Sequence, residues 1–291
     1  MIQPASDNRW DLMVDSLGDP SWNMAKDAWL LERASRTRRT VLRLYQWRGH
    51  ALSLGRAQRP ERDLDPAVCS AEGVPMVRRL TGGRAVLHGA DLTYSICAPA
   101  DRPPFQGGIL HIYRQISKGL VSFLEKLGQR VEVKAYTGRE RKELISPICF
   151  STPSAYEILV NGKKLIGSAQ RLVPGTFLQH GSIPLAPQHG LLSRLFRGAT
   201  PAEVAARMTD LESLGIVPDF SLGELVENFT GAVEESFGVG FSPAPWSGED
   251  EAMVRERINQ FAPLTLAVPA IDASPEGGAV QAPAGRPASR P

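Results

Sequence analysis

A hairpin signal in the middle of the chain constrains the fold more than any other feature. Two apolar-rich runs, 157–160 and 163–166, flank the dipeptide Asn161-Gly162. An Asn-Gly pair favours a two-residue type I′ turn, because both central positions of that turn need a positive φ. A loop of this length fixes the register and pairs Leu159 with Lys164. We therefore predict two antiparallel strands, with Lys164 and its neighbour Lys163 on opposite faces.

The remaining local patterns predict a sheet covered by helices. Asp19 followed by proline marks the start of a helix that continues to about residue 34. A second amphipathic helix begins at Ile109 and ends before Gly128, a residue suited to a left-handed helix end. Short β-rich runs separated by turn residues predict strands of one sheet, at 41–47, 51–54, 75–79, 84–88 and 92–97.

The C-terminal third is predicted to be helical and then disordered. Capping boxes that begin at Thr200 and Ser221 predict helices to about residues 214 and 237. After about residue 263 the chain is rich in Ala, Pro and Gly and loses its periodicity, which is typical of disorder. We therefore predict three parts: a catalytic domain, a C-terminal helix and a disordered tail, at 1–245, 246–267 and 268–291.

Composition excludes several classes of protein. The 291 residues carry 33 basic and 31 acidic side chains, a formal charge of +2, which gives no argument for binding nucleic acid or a membrane surface. No run approaches the roughly 18 apolar residues of a membrane span, so we expect a cytoplasmic protein. The three cysteines, Cys69, Cys97 and Cys149, are odd in number and widely spaced, which argues against a disulfide framework and a metal site.

Two segments are candidates for ligand binding. Residues 78–88 read Arg-Arg-Leu-Thr-Gly-Gly-Arg-Ala-Val-Leu-His, and the glycine pair allows backbone N–H groups to approach a carboxyl, thioester or acyl-phosphate group. By itself such a pair is more often simply a turn, and it lacks the spacing of a dinucleotide-binding loop. Lys164 precedes two apolar residues and the run Gly-Ser-Ala. This context predicts a buried ammonium, which needs an anionic or carbonyl partner.

Together these segments resemble the two motifs of the lipoate-protein ligase and octanoyltransferase family, over roughly residues 20–185. The resemblance implies an α+β fold, with a mixed, largely antiparallel sheet packed by helices, as in the catalytic domains of biotin and lipoate protein ligases. Arg84 stands where ATP-using ligases generally have a third glycine. This makes the chain more similar to the octanoyltransferases that use a cysteine and no ATP.

The resemblance also assigns the site. Cys149 is by itself an unremarkable loop cysteine, but octanoyltransferases of this type carry a nucleophilic cysteine shortly before the lysine motif. We therefore predict Cys149 and Lys164 as the catalytic residues and assign Cys69 and Cys97 to the core. For His88 and His180 a structural role is as well supported as a functional one. The predicted substrate-binding residues are Tyr45, Arg79, Thr81, Gly82, Gly83, Arg84, His88, Gly167, Ser168, Ala169 and His180.

The function implied by the resemblance is octanoyl transfer in lipoate synthesis. The donor would be octanoyl-acyl carrier protein, and the acceptor the lysine of a lipoyl domain such as the glycine cleavage H protein. No cofactor is expected. Three alternatives stay open: an ATP- and magnesium-dependent lipoate-protein ligase, an amidotransferase acting between lipoyl domains, and a non-catalytic acyl-binding protein, which the presence of both Lys164 and Cys149 argues against.

Overall fold

Two β-sheets organise the chain in the computed structural model, which describes residues 8–135, 156–217 and 221–264. The strands are β1 Arg9–Gly18, β2 Val41–Trp47, β3 Ala51–Leu54, β4 Met76–Arg78, β5 Val86–His88, β6 Asp91–Pro99, β7 Val131–Ala135, β8 Tyr156–Val160, β9 Lys163–Val173, β10 Thr176–Pro184 and β11 Gly240–Pro243. The helices are α1 Pro20–Thr37, α2 Pro60–Asp63, α3 Pro66–Ala71, α4 Ile109–Lys126, α5 His189–Leu195, α6 Pro201–Arg207, α7 Leu222–Phe237 and α8 Gly248–Ile258, followed by a 3-10 turn at Asn259–Phe261.

The larger sheet is mixed and largely antiparallel. Its strands follow the order β11-β1-β2-β6-β10-β9-β8-β7. Strand β1 pairs in parallel with β11 and β2, and every other neighbouring pair is antiparallel. The smaller sheet has the order β4-β3-β5. The predicted fold class is therefore confirmed.

The prediction that five early strands share one sheet is wrong. Strands β2 and β6 belong to the larger sheet, whereas β3, β4 and β5 form the smaller one. Gly49, with a φ of 70°, lies between β2 and β3, and β3 pairs with β4 and β5. Strand periodicity indicates which residues point to each face of a strand, but it does not indicate which other strand pairs with it.

The predicted hairpin is confirmed, with one irregularity. Asn161 and Gly162 have φ values of 52° and 73°, and Leu159 pairs with Lys164. Beyond that pair the register shifts, and Ile158 faces Ile166. The resulting bulge interrupts strict alternation, so Leu165 and Ile166 both join the main apolar core.

Helices cover both faces of the larger sheet. Helices α4 and α7 pack through residues such as Phe123 and Phe229 in the largest apolar cluster. Helix α1 packs in the clusters on the other side, where α8 contributes Val254 beside Trp29. A separate cluster joins the smaller sheet to α5 and α6. Among the residues described, no helix has the length and apolar character needed to cross a membrane.

Most helix limits match the prediction. Helix α4 ends before Gly128, and both predicted capping boxes are formed. Helix α1 is three residues longer than predicted. Helix α6 ends at Arg207 rather than near residue 214, because the next residues pair with β9: the Thr209 N–H donates to the Lys164 carbonyl at 3.0 Å. Helix α8 lies within the predicted C-terminal segment, whereas the predicted tail lies outside the described residues.

The hairpin turn should be sensitive to side-chain shape at Asn161. We expect Asn161→Val to lower the free energy of unfolding by about 1–2 kcal/mol, because a β-branched side chain is strained at positive φ. Asn161→Gly is the matched control and should be close to wild type. Chemical denaturation measures both, and equal stability of the two variants would contradict the turn geometry.

Candidate active site

A cavity of about 360 Å³ lies between the larger and smaller sheets. Its walls come from β2, β3, the loop before β5, the first turn of α4, and neighbouring parts of β9 and β10. The lining residues are Met24, Tyr45, Trp47, Ser53, Arg79, Gly82, Gly83, Arg84, Ala85, Val86, His88, Thr93, Ile109, Leu110, Tyr113, Lys164, Gly167, Ser168, Ala169, Gln170, His180, Gly181 and Ser182.

The cavity brings together all but two of the predicted site residues. Thr81 lies behind the wall, with its hydroxyl 2.7 Å from Nε2 of His180. Cys149 lies outside the described residues. The two predicted motifs, more than 70 residues apart in sequence, therefore face one space.

Lys164 is buried, as predicted, with 8% of its surface exposed. Its Nζ lies 2.6 Å from Oε1 of Glu157, which is 4% exposed. The two residues sit on the paired strands β8 and β9, where the bulge begins just after Lys164. Lys164 and Glu157 therefore form a buried ion pair at the cavity wall. The sequence predicts that a buried Lys164 needs an anionic or carbonyl partner, and Glu157 meets that need at least in part.

The glycine loop is held by close backbone packing. Gly83 has a φ of 91°, which favours glycine. Gly55, at the end of β3, also has to lack a side chain, because a Cβ there would overlap the Gly83 carbonyl oxygen. Arg79 clamps the loop from inside, with Nη2 donating to the carbonyl oxygens of Gly82 and Arg84, each at 2.7 Å.

A buried charge network fixes His180. The Asp27 carboxylate, on α1, accepts hydrogen bonds from Arg43 at 2.8 Å and Tyr45 at 3.1 Å. It lies 3.0 Å from Nδ1 of His180. Burial raises the pKa of Asp27, but the hydrogen bond with His180 and the charge of Arg43 outweigh this and hold it below its ordinary value. Burial lowers the pKa of His180, although Asp27 opposes that shift.

His88 forms a second histidine–carboxylate pair. Its Nδ1 lies 2.8 Å from Oδ2 of Asp91, and Trp47 stacks on the ring at a centroid distance of 4.0 Å. Thr93 and Ser182 donate to the same carboxylate oxygen. Burial raises the pKa of Asp91, but the charge and hydrogen bond of His88 outweigh it and keep this pKa below its ordinary value.

Tyr45 lines the cavity as a neutral phenol. Burial and then the Asp27 charge raise its pKa well above the ordinary value. Its hydroxyl proton is donated to Asp27, so the ring presents an apolar surface to the cavity. The substrate-binding role of Tyr45 stays a prediction.

Several residues of the site were not predicted from the sequence. Asp27, Asp91 and Glu157 orient the predicted residues from behind. A carboxylate among the apolar positions of α1, between Met24 and Trp29, was the one available signal. Gln170 lines the cavity, and neither polar atom of its side-chain amide has a hydrogen-bond partner within the part of the chain that the structure describes. In the described ranges, no cluster of three His, Cys, Asp or Glu residues is placed to hold a metal ion.

Comparison with known proteins decides the family. A model of the lipoyl protein ligase A/B catalytic domain matches residues 19–234. The chain belongs to this family. An octanoyltransferase LipM of an Exiguobacterium species is 34% identical, covering 87% of this chain and 95% of that protein. The corresponding LipM of Carboxydothermus hydrogenoformans is 37% identical, covering 82% and 90%. These relatives confirm the predicted family and the prediction of an acyltransferase.

Solved structures confirm the fold. Lipoate-protein ligase A bound with ATP aligns with a TM-score of 0.72 at 19% identity, covering 87% of this chain and 95% of that one. The bi-partite lipoate protein ligase from Thermoplasma acidophilum, solved in a study with its E2 lipoyl domain, aligns with a TM-score of 0.70 at 18% identity, covering 87% and 92%. At this level of identity the likeness concerns the family fold.

Replacing Lys164 should show how much its buried ion pair with Glu157 contributes to stability. We expect Lys164→Met to lower the free energy of unfolding by about 3–5 kcal/mol, because Glu157 stays buried without this cation. Adding Glu157→Gln should recover part of the loss. Lys163→Met, on the neighbouring half-buried lysine, is the control and should change stability by less than about 0.5 kcal/mol. Equal losses for the two lysine variants would contradict the ion pair.

The histidine–carboxylate network should make stability fall on acidification. The pKa of His180 is lower in the folded chain, so below its ordinary value of 6.5 the unfolded chain binds more protons and stability declines. Asp27 and Asp91 have depressed pKa values, and their contribution is lost below about pH 4. Denaturation from pH 7 to 5 measures the first effect. We expect His180→Gln to flatten that slope and His189→Gln, on α5, to keep it; an unchanged slope in the first variant would refute the assignment.

Proposed function

We propose that this chain is an octanoyltransferase of lipoate synthesis, which moves an octanoyl group from acyl carrier protein to the lysine of a lipoyl domain. Relatives named octanoyltransferase that cover most of the chain carry this proposal. The cavity supports it, because a buried lysine and a backbone loop converge on a space suited to an acyl group.

The proposed reaction has two steps, and in each step one bond to the octanoyl carbonyl carbon forms as another breaks. The Cys149 thiolate attacks the donor thioester, the new thioester forms on the enzyme, and the carrier thiol leaves. The amine of the target lysine then attacks this acyl-enzyme, giving an amide and releasing the cysteine. The first step is nearly balanced in free energy and the second is downhill, so the reaction needs no ATP or other cofactor. A covalent intermediate predicts ping-pong kinetics.

The two other cysteines support Cys149 as the nucleophile. Burial and then the charge of Asp65 raise the pKa of Cys69 to about 11. Burial raises the pKa of Cys97 well above its ordinary value. The reactive form of a cysteine is the thiolate, so both are poor nucleophiles at neutral pH. Cys149 is the third and last cysteine of the sequence.

Chain connectivity is compatible with a cysteine that reaches the cavity. Ala135 and Tyr156 pair across β7 and β8, so the two ends of the segment that connects these strands lie side by side. Tyr156 precedes Glu157, whose carboxylate contacts Lys164. Cys149 is seven residues from Tyr156, a span of at most about 25 Å.

Lys164 and the glycine loop are the proposed oxyanion stabilisers. Each step places negative charge on the thioester oxygen as the carbonyl becomes tetrahedral. An ammonium at the cavity wall and backbone N–H groups at Gly82 and Gly83 would stabilise that charge. Tyr45, Trp47 and Met24 supply apolar surface for the acyl chain.

Acyl-enzyme formation tests the proposal directly. The purified protein is incubated with octanoyl-acyl carrier protein without ATP, and its intact mass is recorded. We expect one octanoyl group, labile to hydroxylamine, on the wild type and on a Cys69→Ser control, and none on Cys149→Ser. Transfer of that group to an apo lipoyl domain, with the glycine cleavage H protein as the proposed acceptor, completes the assay.

The same assay separates the alternatives. Modification of the lipoyl domain only with ATP, magnesium and free octanoate would instead identify a ligase. Transfer only from an octanoylated lipoyl domain would identify an amidotransferase. Saturable binding of the acylated carrier without any transfer would identify a binding protein. Each result would overturn the proposal.

A further inference from the structure

We propose that the Arg79 guanidinium holds both cavity histidines, His88 and His180, as neutral rings protonated on Nδ1. Arg79 is 5% exposed and projects between the smaller sheet and the glycine loop. It reaches each histidine through a hydroxyl group. We call these paths the threonine relay (Arg79, Thr81, His180, Asp27) and the serine relay (Arg79, Ser53, His88, Asp91).

Proton counting fixes the threonine relay. Nε of Arg79 always carries a proton, and it donates to Oγ1 of Thr81 at 3.0 Å. Among the described residues the Thr81 hydroxyl has one other partner, Nε2 of His180 at 2.7 Å, and we assign the hydroxyl proton to that nitrogen because a buried donor needs an acceptor. That ring nitrogen is then an acceptor, and the ring proton resides on Nδ1, 3.0 Å from the Asp27 carboxylate. Every donor in the path meets an acceptor.

The serine relay repeats this arrangement. Nη1 of Arg79 lies 2.6 Å from the Ser53 carbonyl oxygen and 3.3 Å from its hydroxyl. Nε2 of His88 lies 2.9 Å from the hydroxyl oxygen and is the acceptor that we assign to the hydroxyl proton, so the ring proton resides on Nδ1, 2.8 Å from Asp91. The remaining nitrogen, Nη2, holds the glycine loop.

This geometry assigns a role to the histidines. Because Nε2 of each ring already accepts a hydroxyl proton, neither ring is free to take a proton from the cysteine or from the target lysine. The histidines therefore line the cavity with a fixed arrangement of hydrogen-bond donors and acceptors. Arg79 is a positioning residue, because it determines both the protonation of the two rings and the position of the glycine loop. Among the described residues, the charged or titratable groups that act on His180 are Asp27, Arg79 and His88, and His88 itself pairs with Asp91.

The tautomers are directly observable. Free histidine prefers a proton on Nε2, so rings protonated on Nδ1 stand out; His50, whose Nδ1 lies 3.3 Å from the His88 carbonyl oxygen, is a third candidate for that tautomer and has to be assigned separately. Two-bond ¹H–¹⁵N spectra of the full-length protein identify each tautomer, and His88→Gln and His180→Gln assign the signals. We expect both rings to be neutral and protonated on Nδ1 at pH 7. An Nε2-protonated or doubly protonated ring at either position would overturn the proposal.

Branch-specific variants test the relays. Thr81→Val should alter the tautomer or titration of His180 and leave His88 unchanged. Ser53→Ala should do the reverse, and Arg79→Lys should alter both. Arg78→Lys is the matched control, since Arg78 donates to the carbonyl oxygens of residues 55, 56 and 58 instead. It should leave both signals unchanged even if stability falls. Should Arg79→Lys fail to fold, the two relay variants decide, and unchanged histidine signals in them would refute the relays.

A kinetic readout depends on the proposed function. We expect Arg79→Lys to lower kcat for octanoyl transfer by about 100-fold, because the loop and both walls shift, with a smaller change in KM. The spectra do not depend on activity. Failure of the acyl-transfer assay with the expected tautomers would therefore refute the function and leave the relays intact, whereas altered tautomers in an active wild type would do the opposite.

Discussion

The buried pair of Asp27 and Arg43 is the interaction on which the site depends. Both side chains are withdrawn from water, and neither charge is tolerable there without the other. Asp27 comes from α1 and Arg43 from β2, so this requirement fixes the helix against the sheet as firmly as the apolar contacts do. The carboxylate also contacts Ser95 and two residues that face the cavity, Tyr45 and His180. The pairing of these two buried charges thereby also orients two residues that line the cavity.

The meeting of two sheets explains why motifs distant in sequence form one site. The smaller sheet carries the glycine loop and Arg79, whereas the larger sheet carries Lys164 and His180. The bulge after Lys164 lets that side chain face the cavity while Leu165 and Ile166 stay in the core. Strand β9 can therefore combine a charged contact and a continuous apolar core over consecutive residues.

Local sequence patterns predict the helices and strands of this fold better than they predict which strands pair with one another. The Asn161-Gly162 turn and the register of its hairpin follow from backbone sterics within a few residues, so they were readable. The division into two sheets depends on pairing between distant strands, and periodicity contains no such information. Lys164 was recognised because a lysine in an apolar strand is unusual. Its partner Glu157 and the carboxylates behind the histidines were not, because their roles arise only when separate elements meet.

The contact between Gly55 and Gly83 has a consequence for the cost of binding. The loop rests on the end of β3 backbone to backbone, with no side chain between the two. There are accordingly no rotamers to freeze at this contact when a ligand arrives, and the conformational entropy of the loop is already lost during folding. A preorganised loop leaves more of the interaction energy for the ligand itself.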